Sequence, residues 1–161
     1  DTLVRKIVNI ARFPVLITSL MYRPWKRLAI FYGGSDSSLC ALELGVQICR
    51  SSGLKMDIFT QNEGGNEQSI KETINSPSFE NSINDVCENW FEFDSDDFIS
   101  NMYNVPHDSL VVLGGFRSHI GRNYSSIMEK IQSTIPNNLL AIGPNYSKLS
   151  KSKSANIGRD F

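Results

Sequence analysis

The sequence predicts an α/β fold: a doubly wound, parallel, five-stranded sheet. Three observations carry that reading. Short apolar runs recur at residues 28–32, 110–113 and 139–142 without polar alternation, the pattern of strands buried on both faces. Helix-patterned segments lie between the runs, as alternating βα units require. Two of the runs end in glycine pairs, Gly33-Gly34 and Gly114-Gly115, where a chain leaves a strand through a tight turn.

Each element has its own signal. Lys26-Arg27 precede the first apolar run, 28–32. From Ser37 a helical pattern takes over, with Leu39, Leu42, Val46 and Cys49 on one face. Ser51-Ser52-Gly53 stops it, and 56–60 reads as a second strand. This is a strand–helix–strand unit of about 30 residues, expected to be parallel and right-handed. Residues 61–82 are polar, with Gly64-Gly65 and Pro77, and predict a short helix over 67–74 followed by a mobile loop. Residues 90–93 read as a short third strand. "DSDD" (94–97) reads as a helix start, a cap followed by acids at the positive end of the dipole. The run at 110–113 is the fourth strand; a loop, "FRSHIGRNYSS", leads to a helix with Ile127, Ile131 and Ile135 on one face, and 139–142 is the fifth strand. The strand at 28–32 is expected at the centre, flanked by 56–60 and 110–113.

Composition narrows the function. A chain of 161 residues suits one domain with a real core and a fragment of another. With 16 basic and 17 acidic residues, the net charge of −1 gives no reason to expect nucleic-acid binding. No apolar run approaches the roughly 20 residues a membrane helix needs. The chain opens at Asp1 without a signal-peptide pattern and reads as part of a longer polypeptide. Cys40, Cys49 and Cys87 lack metal-ligand spacing and read as small buried residues in a reducing compartment; on a helix, Cys40 and Cys49 would lie on opposite faces. His107 and His119 fall in loops, and no nucleophile–base–orienter set can be assembled. Neither an enzyme nor a metal site is expected.

An internal repeat is the most informative feature of organisation. "LVRKIVNIARFPVLITS" (3–19) and "IMEKIQSTIPNNLLAIGP" (127–144) match at an offset of 124 residues. Leu3, Lys6, Ile7, Val15 and Leu16 fall opposite Ile127, Lys130, Ile131, Leu139 and Leu140. Both segments read helix, turn, strand. Residues 1–20 therefore read as the closing helix and strand of a preceding copy, with apolar residues that call for burial against this domain or a partner.

The candidate site is a phosphate cradle. The turn Gly33-Gly34-Ser35 with Ser37, and the loop opening at Gly114-Gly115, should meet at the carboxyl edge of the sheet, where backbone N–H groups can hold an anion. Arg117 and Arg122 offer charge there. The alternative is that the glycines serve only their turns and the arginines are solvated.

The element order and the turns "YGGSDSS" and "VLGGFRSHIGRNYSSIMEKI" resemble the universal stress protein family over residues 26–143, plus the tail of a preceding copy at 1–20. The resemblance implies a Rossmann-like sheet of order 3-2-1-4-5, and divides the chain into 1–20, a domain at 26–146 and a C-terminal tail at 147–161. In nucleotide-binding members an Asp ends the first strand, and a glycine-rich loop after the fourth wraps the phosphates. Here Gly33 stands at the position of that Asp. Gly114 matches the first loop glycine, Arg117 replaces the second, and Ser125-Ser126 take the place of the closing pair after a shortened spacing. No resident cofactor is implied, and at most weak nucleotide binding.

A narrower resemblance is to the cytosolic C-terminal region of plant and fungal monovalent cation/proton antiporters, where two degenerate stress-protein-like halves follow the membrane part. "LAIFYGGSDSSLCALELG", His107-Asp108 before the fourth strand, "LLAIG" (139–143) and the terminal Asp160-Phe161 carry it. It implies a non-enzymatic regulatory or assembly domain of a K+(Na+)/H+ antiporter on the cytoplasmic face of an intracellular membrane. Its partners would be the preceding half and the membrane domain of the same polypeptide, with homodimer formation. The alternatives are a soluble tandem stress protein binding ATP, or a nucleotide-sensing domain of another membrane protein.

Overall fold

In the computed structural model the described residues are 2–20, 23–62, 67–94, 98–114 and 131–146. In chain order the elements are α1 (Thr2–Ile10), β1 (Val15–Ile17), β2 (Arg27–Tyr32), α2 (Asp36–Ser52), β3 (Lys55–Asn62), α3 (Glu67–Ile74), α4 (Pro77–Ile83), β4 (Cys87–Asp94), α5 (Phe98–Met102), β5 (Ser109–Gly114) and β6 (Leu139–Ile142). Residues 131–134 are also helical.

The sheet runs β1-β6-β5-β2-β3-β4. β2 is central and parallel to β3 and β5, β4 adds parallel to β3, and β6 parallel to β5. This is the expected 3-2-1-4-5 order with one correction. A sixth strand, β1, joins the edge of β6 antiparallel, so the sheet is mixed rather than wholly parallel.

Alternation along β2 explains why its run shows no polar residues. Leu28, Ile30 and Tyr32 join Leu42, Val46 and Cys49 of α2 and Ile70 of α3 on one face. Ala29 and Phe31 join Val8 of α1, Met102 of α5 and Ile131 on the other. Helices on both faces leave no position of the run 28–32 to water. On the second face a row of rings crosses three strands, Phe31 stacking on Phe59 at 5.4 Å and Phe59 on Phe91 at 5.0 Å between centroids.

Residues 75–83 depart from expectation. Most of the stretch expected as a loop is α4, with Ser76 at the N-cap and Pro77 in the first turn. Proline tolerates that position because its missing N–H would have no helical partner there. Phe79 and Ile83, one turn apart, face the core cluster. β4 is also longer than the expected 90–93, its Glu88, Asn89 and Glu92 exposed as an edge strand allows. Of the "DSDD" helix start, Asp94 ends β4 and 95–97 lie outside the described residues; α5 is described from Phe98.

Cys40 and Cys49 are both buried in one core cluster, so α2 is covered near residue 40 on more than one side. Burial pushes the thiols of Cys49 and Cys87 up to about 11, with the Coulombic effect of Cys87 adding for Cys49 and that of Asp57 for Cys87. From a starting value of 9.0, that lowers the thiolate fraction at pH 8 about a hundredfold. Alkylation of Cys49 and Cys87 in the native protein should slow by at least that factor relative to the urea-unfolded chain, read by mass spectrometry. Equal rates would refute the assignment.

Candidate functional site

The turn after β2 is built by glycine. Gly34 takes a φ of +77°, which L side chains rarely adopt. Ser35 then caps α2: its Oγ accepts from Ser38 N–H at 3.1 Å, while the buried Ser38 hydroxyl donates to Ser35 O at 2.8 Å. Asp36 supplies a carboxylate in the first turn of α2, exposed to solvent. Gly114 ends β5 against this same turn. A Cβ there would lie 2.1 Å from Ser37 C and 2.2 Å from Ser38 N. The strand end and the helix start touch backbone to backbone, and Ser37 is buried beneath them.

These features bear on anion binding. One helix-start N–H, that of Ser38, is taken by the cap. The Asp36 carboxylate already stands at the positive end of the dipole, where a phosphate would be repelled by it. Gly33 offers no carboxylate to a nucleoside. The space beside Gly34 is filled from α3, with Ile70 Cγ1 3.2 Å from where a Cβ would stand. Gly33, Gly34, Ser35, Ser37 and Gly114 are thus gathered at one edge of the sheet, whereas Gly115, Arg117, Arg122, Ser125 and Ser126 lie outside the described residues. Tyr32, last in β2, is buried against Phe79 and Trp90, and burial raises its phenol above the ordinary value against a hydrogen bond with Thr73. Isothermal titration should therefore find ATP affinity weaker than micromolar. The missing charge-assisted bond alone forfeits about 1.5–3 kcal/mol, a factor of roughly 10 to 100. A micromolar or tighter affinity would reject this.

Sequence reasoning did not single out Asp57. It is a buried carboxylate within an apolar strand, accepting from Arg27 Nη1 and Asn89 Nδ2, each at 2.8 Å. The signal was an acid between Met56 and Ile58. Its partners come from β2 and β4, on either side of β3, and so tie three strands at the edge opposite the cradle. Among the described residues no group of His, Cys, Asp and Glu is placed to hold a metal, and no helix is long and apolar enough to cross a membrane.

The second notable geometry is the repeat junction. Val15 pairs with Ala141, Leu16 with Leu140 and Ile17 with Leu139. Moving β1 forward by the repeat offset of 124 makes it coincide with 139–141, so that Leu140 faces Leu140. That is the register of a strand paired with its own copy about a two-fold axis. α1 precedes β1; its Val8 and the next residue after the helix, Ala11, are buried, and Val8 O is 1.9 Å from where a Cβ of Gly143 would stand. The opposite stripe of α1 is open: Leu3 is 65 %, Ile7 41 % and Ile10 71 % exposed. Burial was expected against this domain or a partner, and this domain does not cover these three. Ile131, the equivalent of Ile7 in the second copy, is 0 % exposed.

No family model and no curated protein matches the chain. Solved structures do. A universal stress protein from Archaeoglobus fulgidus aligns at a TM-score of 0.62 and 14 % identity, over 85 % of this chain and 52 % of that one. A Pseudomonas aeruginosa protein of unknown function aligns at 0.57 and 15 %, over 97 % of this chain and 61 % of its own length. A universal stress protein from Lactobacillus plantarum aligns at 0.52 and 12 %, over 75 % of this chain and 99 % of its own. The chain thus spans about half the length of the archaeal neighbour. The architecture of this chain is that of the universal stress protein-like, Rossmann-like α/β fold.

Proposed function

We propose that this chain is the second half of a tandem stress-protein-like module, a non-enzymatic regulatory and assembly domain on the cytosolic side of a monovalent cation/proton antiporter. The observation that carries the tandem reading is the self-equivalent β1–β6 register with the open α1 stripe. In the second copy Ile131, the equivalent of Ile7, is core, and in the first copy the stripe awaits the sheet of the preceding half. The longer neighbours support this: their alignments reach 85 % and 97 % of the chain, against 75 % for the shorter one. The antiporter context rests on the sequence resemblance, from "LAIFYGGSDSS" through His107-Asp108 to Asp160-Phe161.

Such a domain acts by contacting two states of the transporter unequally, not by carrying the ion. Residues 61–82, a long, polar, Ser/Thr-bearing segment, are the contact or modification segment in this reading. The test is potassium/proton exchange in vesicles bearing the full-length protein or one truncated before residue 1, at matched membrane abundance. Truncation should change exchange rate, its pH dependence or assembly; if all three stay unchanged, the proposal fails. The second reading, a soluble tandem stress protein that binds ATP, is favoured by the fold of the neighbours. The ATP titration above separates the two.

A further inference from the structure

Of the six prolines in the chain, Pro77 alone follows a hydroxyl residue, Ser76. The pair lies where α3 gives way to α4, with Asn75 and Pro77 exposed and Ser76 half-buried between them. Ser76 takes φ −71° and ψ 129°, the extended backbone that a following proline imposes. Its hydroxyl donates to Thr73 O at 2.8 Å.

Serine before an exposed proline is a chemically distinct target. Proline has no N–H, so an apolar surface can close over its backbone nitrogen without stranding a donor. Any other residue there would leave an N–H unpaired, and a protein kinase with such a surface selects proline by that penalty. We propose that Ser76 is a phosphorylation site for a proline-directed serine/threonine kinase, and that the phosphate opens the connection between α3 and α4. The proposal rests on the reading of 61–82 as a modification segment and names its residue and reaction. In the transfer Ser76 Oγ attacks the γ-phosphorus of ATP, and the bond from that phosphorus to the β–γ bridging oxygen breaks. ADP leaves, and the hydroxyl proton passes to the catalytic base of the kinase.

The consequences follow from the contacts of Ser76. A phosphoester oxygen cannot donate, so the bond to Thr73 O is lost and a charge of about −2 arrives in its place. The N–H groups of Phe79 and Glu80, at the start of α4, already donate to Ser76 O at 2.9 and 3.1 Å. Among the charged residues of 71–80, Glu72 and Glu80 outnumber Lys71, so the segment repels the new charge. The Thr73 side chain hydrogen-bonds the Tyr32 phenol. Phe79 packs on Tyr32 and on Trp90, its ring centroid 6.2 Å from each. Opening the connection therefore loosens the aromatic cover over the end of β2.

The test uses the full chain carrying Trp25→Phe, which leaves Trp90 as the lone tryptophan, incubated with Mg·ATP and a cyclin-dependent kinase. Mass spectrometry should find one phosphoryl group, at Ser76, and none after adding Ser76→Ala. Amide hydrogen exchange over 75–83 should accelerate at least about tenfold on phosphorylation, with altered Trp90 emission and unchanged exchange over 28–32. No transfer, transfer to another residue, or transfer to a peptide of residues 70–83 but not to the folded chain would overturn the site. Smaller acceleration or unaltered emission would overturn the opening. These readouts need no transporter, so their failure is distinct from failure of the vesicle exchange test.

Discussion

Gly114→Ala should cost about 3 kcal/mol or more of folding stability, and about 6–12 °C in Tm for a chain of this size. The new Cβ would meet Ser37 C and O and Ser38 N at 2.1–2.2 Å, all backbone atoms that no rotamer change can withdraw. Either β5 retreats from the sheet or the first turn of α2 unwinds, and both lie in the core. Gly53→Ala is the internal comparison. At that helix end nothing lies within 4 Å, and only the φ of +74° opposes a side chain, so about 1 kcal/mol is expected. Denaturant titration of both variants decides. Equal losses would mean that the contact between β5 and α2 is looser than the structure shows.

The second large effect is expected at Arg27. Arg27→Met should destabilise by about 2–3 kcal/mol, below the full range for a buried pair because the arginine reaches solvent. The Asp57 side chain is 3 % exposed and would keep only the Asn89 amide and no countercharge. Glu88→Gln removes the other ion pair of the same guanidinium, on a carboxylate that is 42 % exposed. It should cost less than about 0.5 kcal/mol. Replacing both members, Arg27→Met with Asp57→Leu, should recover part of the loss, since an apolar pair no longer buries a lone charge. If Arg27→Met costs no more than Glu88→Gln, Asp57 is not held by the arginine.

How much was legible follows from how local each signal is. The central strands were readable because both faces of β2, β5 and β6 are covered, which leaves unbroken apolar runs. β4 was read too short because an edge strand shows water its polar residues, Glu88, Asn89 and Glu92. α4 was read as loop because only Phe79 and Ile83 mark its buried side, although Ser76-Pro77 is a good helix start. The turn at Gly33-Gly34 was legible from the glycines, but not its occupation by Ile70, which arrives from α3. Asp57 could be seen as an anomaly in a strand, but its partners stand 30 and 32 residues away.

By itself the sequence determined the order of the strands and of the helices other than α4, the glycine turns at two strand ends and the repeat at 3–19 and 127–144. These depend on neighbours within a few residues, through side-chain periodicity and backbone freedom. Only the tertiary structure decided that β1 lies antiparallel on β6 with Leu16 opposite Leu140. It also decided that Gly114 rests on Ser37, and which stripe of α1 stays open. An apolar pattern says which side of an element avoids water, but not what will cover it. The answer comes from contacts between residues far apart in the chain, whose geometry no local pattern encodes.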